Sequence, residues 1–340
     1  MTRLFADSAR IARPPAPSAL ESGPALELAL VNNMPDGAME ATERQFLRAV
    51  TAAAAGRPLR LRLYNLPGVV RGEIAAARVA ARYRPFEELF EAPPDGLIVT
   101  GAEPRAAKLD AEPYFPALAR LADFAKDAVP AVAWSCLAAH AAVLHLDGIE
   151  RRPLVAKRIG MFPIRPTGRH PLAERLPPTA RVAHSRWNDL DPGDLAAAGY
   201  VALTDAGAAG IDAFVKTWNA DGNGASVAGS GVSGRSTFLF FQGHPEYDPL
   251  ALAREHRRDV GRYLAGQRAD YPAPPVDYFD RPTMGALALF EARAKAGLAK
   301  IDDFPPLGPP GAPSTEANPT AVAFYRNWLG LIRARAAVRH

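Results

Sequence analysis

From residue 25 onward, short apolar runs alternate with amphipathic stretches of helical length, and that alternation restricts the chain to few architectures. ALELALVNNM (25–34) reads as a buried strand, halted by two asparagines and Pro35. In the stretch 39–55, Phe46, Leu47 and Val50 share one helical face, and Gly56 ends it. LRLRLYNL (59–66) alternates like a strand, and DGLIVTG (95–101) is a turn, an apolar run and a glycine. A helix at 113–127, the strand VPAVAW (129–134) and a helix at 137–146 follow. Strands separated by helices of this length pair in parallel through crossovers, because parallel neighbours cannot be joined by a tight turn. The expected fold is therefore α/β, with a mostly parallel sheet flanked by helices.

The second half carries more strand patterns, at 158–164, 179–187, 199–204, 212–218 and 237–243, and then the helix 250–266. Ten of the 33 prolines fall between Pro272 and Pro319, interrupted by a helical pattern at 283–299 and followed by another at 320–337. The expected organisation is a flexible lead over 1–23, a catalytic domain over 24–268, and a Pro-rich, helical C-terminal extension over 269–340 that packs back onto it. No run of 18 apolar residues offers a membrane span, and residues 1–20 lack the apolar core of a secretory signal. Basic residues exceed acidic ones by only 4, which gives no reason to expect a nucleic-acid partner. A single cysteine excludes an internal disulfide and any multi-cysteine metal site, and fits a reducing, cytoplasmic setting.

That one thiol, Cys136, lies where the strand 129–134 gives way to an alanine-rich helix. A nucleophile at such a turn is lifted out of the sheet, and the N–H groups opening the helix favour a thiolate and an oxyanion. The alternative is a buried structural cysteine. A thiol also needs a base, and FFQGHPEYD (240–248) places His244 after an apolar strand, with Glu246 two residues on to orient it. Alone, that histidine is a weak signal and reads more readily as part of a surface loop that caps a strand end. GSGVSG (229–234) matches a dinucleotide glycine pattern but precedes a strand, so it reads as a loop. On the arginine-rich helix 250–266, Arg258 sits nearest the register of a site residue. His140 and His145 read as core or surface histidines, and no cluster has metal-ligand spacing.

Taken together, these blocks resemble the homoserine O-acyltransferases, the O-succinyl- and O-acetyltransferases built on a class I glutamine amidotransferase-like fold. The resemblance rests on NNMP with ATERQFLR (32–48), DGLIVTGA (95–102), the cysteine segment (131–146) and Lys157 with Gly160. It continues through AHSRW (183–187), GHPEYD (243–248) and RRDV (257–260). It implies ping-pong acyl transfer from an acyl-CoA co-substrate, with no resident cofactor or metal, to homoserine or a related amino acid. Cys136 would carry the acyl group, His244 would be the base and Glu246 its orienter. The oxyanion would rest on the backbone near Leu137, Gly101 and Ala102. Arg258 would grip the amino-acid carboxylate, with Ser185 and Arg186 nearby and Lys157 touching the donor. The resemblance also implies a homodimer acting in methionine biosynthesis.

The chain departs from the family pattern in several places. No lysine follows NNMP until Lys108, which leaves Glu40 or Glu43 near that position. Arg105 falls near the position linked to acyl choice, where it would either pair with a succinyl carboxylate or point into solvent. Leu137 and His140 replace the usual tryptophan and glutamine. Two other readings stay open: an amidase or glutamine amidotransferase of the same fold, and a metabolite-binding protein without turnover.

Overall fold

The computed structural model describes residues 25–219, 224–225, 236–306 and 316–339, so the expected lead (1–23) and the glycine-rich loop (229–234) lie outside the described residues. The central sheet begins with β1 (Leu26–Val31), β2 (Leu59–Tyr64), β3 (Gly96–Val99), β4 (Ala131–Ser135) and β11 (Ser236–Phe241), all mutually parallel in the order β2-β1-β3-β4-β11. Every residue of β3, β4 and β11 is buried, as expected of strands covered on both faces. Beyond β11 the pairing turns antiparallel through β9 (Ile211–Trp218), β8 (Val201–Asp205) and β6 (Arg165–Pro166), with β10 (Gly224–Ala225) on β9.

Alternate residues along each strand feed two cores. Ala29, Val31, Leu97, Val99 and Trp134 face α4 (Phe115–Ala128) and α5 (Leu137–Asp147). Leu28, Leu30, Ile98 and Phe241 face α1 (Met39–Ala54) and α9 (Pro319–Arg339). The last helix is thus part of the main core, with Phe324, Trp328 and Ile332 fully buried. It lies so close to β3 that a Cβ on Gly96 would come within 2.6 Å of both Trp328 and Ile332.

A two-stranded antiparallel ribbon, β5 (Arg152–Pro163) with β7 (Arg181–Asp189), stands apart from the sheet. It is tied to the carboxyl end of β11 where the His244 amide donates to the Ala183 carbonyl at 2.7 Å. α7 (Ala251–Leu264) follows and packs on α8 (Arg281–Lys295) through Val260, Leu287 and Phe290. Three short helices, α2 (Glu73–Arg82), α3 (Glu88–Glu91) and α6 (Pro192–Ala197), are absent from the sequence reading. In α2 only Ala75 is buried, so it carries little apolar periodicity.

Candidate active site

In open α/β sheets, ligands bind beyond the carboxyl ends of the strands, and here five parallel strands end on one side. Asn33 locks two of these ends by accepting from the Leu66 amide and donating to the Thr100 carbonyl at 2.9 Å. Between β4 and α5 the chain turns sharply, and Cys136 takes φ 53° and ψ −115°, a left-handed conformation unusual for a side-chain-bearing residue. Its amide donates to the Phe241 carbonyl at 2.7 Å, which fastens the turn to β11. Such strain is characteristic of sites where a side chain must be presented. The Cys136 side chain opens onto a cavity of about 200 Å³.

The first amides of a helix lack an intrahelical acceptor, and α5 opens at Leu137, which lines the same cavity. Gly101, at the end of β3, approaches them closely: a Cβ there would lie 2.9 Å from Leu137 Cβ and 3.0 Å from its nitrogen. Only glycine permits that approach. Leu137, Gly101 and Ala102 all line the cavity.

Parallel pairing of β4 with β11, in register Ser135 to Phe241, carries His244 to the same end. Its Nδ1 lies 2.9 Å from Glu246 Oε1, which also accepts from Ser135 Oγ at 3.4 Å. Nε2 is thereby left for the thiol, and Cys136 acts on the imidazole both as a charge and as a hydrogen-bond partner. Burial pushes the His244 pKa down, but the charges of Cys136 and Glu246 and their hydrogen bonds outweigh it and hold the pKa well above the ordinary value. The structure thus brings Cys136, His244 and Glu246 together.

A charged network forms one wall of the cavity. Lys157, from β5, donates to Asp259 at 2.6 Å and lies 3.5 Å from Glu255. Ser185, from β7, donates to Glu255, which accepts from the Tyr247 hydroxyl at 2.6 Å as well. Arg258 is half exposed and lies 3.3 Å from Asp259 and 3.6 Å from Glu255. Burial lowers its pKa, yet those two carboxylates raise it overall. Glu255 and Asp259 were missed by the sequence reading, although their spacing with Arg258 and Arg262 puts all four on one side of α7.

Two of the expected site residues sit differently. Arg186 lines the cavity but spends its donors on the protein: Asp189 at 2.7 Å, Gln242 at 3.0 Å, the Ala209 carbonyl and His184. Arg105 lines a neighbouring cavity with Arg71 and Asp36, not the one holding Cys136. Glu43 pairs with Arg78 at 2.7 Å and accepts from Tyr83 at 2.8 Å, so it ties α1 to α2 away from the cavity, and Glu40 also meets Arg78. His140 is buried on α5, its Nε2 3.0 Å from Gln242. Among the described residues no group of three or more His, Cys, Asp or Glu is arranged to hold a metal. No helix there is long and apolar enough to cross a membrane. A larger cavity of about 530 Å³ lies behind Glu246 and Tyr247, without the thiol.

A cysteine at a strained strand–helix turn with a histidine–carboxylate pair beside it, at the carboxyl ends of a parallel sheet, is an arrangement that nucleophilic enzymes of the α/β class use. A family model described as homoserine O-succinyltransferase matches residues 16–337. The chain belongs to the homoserine O-succinyltransferase family and is an O-acyltransferase. A homoserine O-succinyltransferase of Rhodopseudomonas palustris is 45% identical over 89% of this chain and 87% of its own length. One of Bradyrhizobium japonicum is 41% identical over 98% of this chain and 99% of its own. Among solved structures, a glutamine amidotransferase from Thermotoga maritima aligns with 91% of this chain and 98% of its own at 13% identity, with a TM-score of 0.45.

Proposed function

We propose that the chain transfers a succinyl group from succinyl-CoA to the side-chain hydroxyl of homoserine through an acyl-enzyme on Cys136. The observation that carries this reading is the left-handed Cys136 turn facing His244, whose far nitrogen is held by Glu246. In the first half, Cys136 Sγ attacks the thioester carbon. The tetrahedral oxyanion meets the amides near Leu137 and Gly101–Ala102. The bond from carbon to the CoA sulfur then breaks, and the leaving sulfur takes the proton from His244. In the second half, His244 Nε2 takes the proton of the acceptor hydroxyl, whose oxygen attacks the acyl carbon. Cys136 leaves as the thiolate, and the oxygen ester departs.

An amino-acid acceptor presents a carboxylate beside an ammonium. Arg258 and Glu255, 3.6 Å apart on one helix turn, supply the matching pair of charges. Lys157 and Ser185 lie beside them, where the donor and acceptor would meet. Arg186 holds the wall in shape. Coenzyme A is then a co-substrate and not a resident cofactor. The family resemblance adds a homodimer, a cytoplasmic setting and a place in methionine biosynthesis.

The test is intact-protein mass spectrometry after mixing with succinyl-CoA, and separately with acetyl-CoA, in the absence of acceptor. A succinyl adduct that disappears in Cys136→Ala is the expected result. Neither adduct nor CoA release from either donor would overturn the reading, and glutamine would be the next compound to try.

A further inference from the structure

Five cationic side chains line the Cys136 cavity: Arg151, Lys157, Arg186, Arg258 and Arg262. Four of them have partners. Lys157 and Arg258 meet Asp259 and Glu255, Arg186 is bound to Asp189 and Gln242, and Arg262 pairs with Glu103. Arg151, on the loop between α5 and β5, makes no ion pair or hydrogen bond with any described residue. It is nevertheless partly withdrawn from water, and burial pushes its guanidinium below the ordinary pKa, with Tyr114, Glu112 and Cys136 only partly offsetting this. An arginine stays charged under such a shift, so the cavity holds a partly desolvated positive charge that no carboxylate contacts directly. Arg151 and Cys136 line the same cavity.

We propose that Arg151 receives the distal carboxylate of the acyl group carried on Cys136, and so selects a dicarboxylic donor. The inference rests on the reading of Cys136 as the acyl carrier. Two anionic groups compete for the cations of this site: the acceptor's carboxylate and the acyl chain's. The acceptor also carries an ammonium and is matched by a cation with a carboxylate beside it, which Arg258 and Glu255 provide. The end of a succinyl chain carries only negative charge, and a guanidinium whose donors are bound to no carboxylate suits it. A planar fork of donors also fits a carboxylate in two-point fashion. Arg105, the residue expected to take this role, opens onto the neighbouring cavity instead.

The experiment compares kcat/KM for succinyl-CoA and butyryl-CoA, with homoserine saturating, in the parent, Arg151→Met and Arg151→Lys. Butyryl-CoA has the same carbon chain without the distal charge. Arg151→Met is expected to lose roughly 10- to 100-fold toward succinyl-CoA, the range for a hydrogen bond to a charged group. Its rate with butyryl-CoA and its KM for homoserine are expected to stay at the parent values, and Arg151→Lys to recover part of the loss. An equal loss with both donors, an unchanged donor preference, or a raised homoserine KM would overturn the assignment. If Arg151→Met does not fold, the donor preference of Arg151→Lys decides by the same comparison. A parent enzyme that releases no CoA from any donor removes the acyl-carrier reading itself, whereas a turning-over parent with indifferent variants removes only Arg151.

Discussion

The ring of Tyr247 lies flat against the imidazole of His244, with centroids 4.1 Å apart and planes 18° from parallel. Its hydroxyl is anchored on Glu255, so the stack links the proposed base to the charged wall formed by α7. Glu246 fixes the direction of the imidazole, and Tyr247 fixes its plane.

Removing that face should loosen the base without removing it. Tyr247→Leu is expected to lower kcat by about 2- to 10-fold, the span of an aromatic pair's contribution, with little change in KM for either substrate. Tyr247→Phe keeps the ring and should retain most of the rate. Steady-state kinetics of the two variants checks this, and equal losses in both would show that the hydroxyl matters instead.

Glu246→Gln removes one of the charges that hold the His244 proton. The imidazolium should then be lost at lower pH, and the alkaline limb of CoA release against pH should move down. The rate at its optimum is expected to fall about 100-fold or more, as for loss of well-oriented proton transfer. A profile that kept its alkaline limb would show that Glu246 does not set the protonation of His244.

Stability should be sensitive to acid. Burial pushes His140 down to about 3 and His256 to about 4, with neighbouring carboxylates raising them too little to compensate. Both are therefore neutral when folded, while the unfolded chain protonates them below about 6.5. The unfolded state then binds more protons, so stability falls as pH drops from 6.5 toward those values, by about 1.4 kcal/mol per pH unit for each histidine. His256 packs between Phe279 and Phe304, so His256→Phe should remove its share. Melting temperatures at pH 7 and 4.5 test this, and the variant should lose less than the parent between them.

Trp328→Ala should destabilise the fold by about 3–5 kcal/mol, the usual range for a fully buried aromatic. Chemical denaturation measures it, and a loss below about 1 kcal/mol would contradict the placement of α9 in the core.

Much of the site was legible because its chemistry is tied to strand ends. One thiol stood between an apolar strand and an alanine-rich helix, and one histidine followed another apolar strand with a glutamate in reach. The parallel sheet was legible from the same punctuation. Less visible was what depends on tertiary pairing. Arg151 stands next to Arg152 with no motif around it, and only the turn after α5 brings it to the cavity. Arg186 looked like a substrate contact, because nothing local reveals that Asp189, Gln242 and the Ala209 carbonyl would consume its donors. The helix pattern at 283–299 forms at Arg281–Lys295, started by Asp280, whose side chain accepts from the Thr283 amide. The final helix was read as packing back on the domain, but its burial between α1 and the sheet was not foreseen.

The place of α9 has a consequence for how the chain is made. It is the last described element to leave a ribosome, yet it covers part of the sheet face formed by Leu28 and Leu30 of β1 and Ile98 of β3. Until it emerges, the part of that face that α1 does not cover is exposed apolar surface, open to chaperones and to mispairing with other nascent chains. Translation that stops short of Trp328 therefore leaves the sheet behind Cys136 and His244 without the packing that α9 supplies, so the site gains its full support only once that helix has been made.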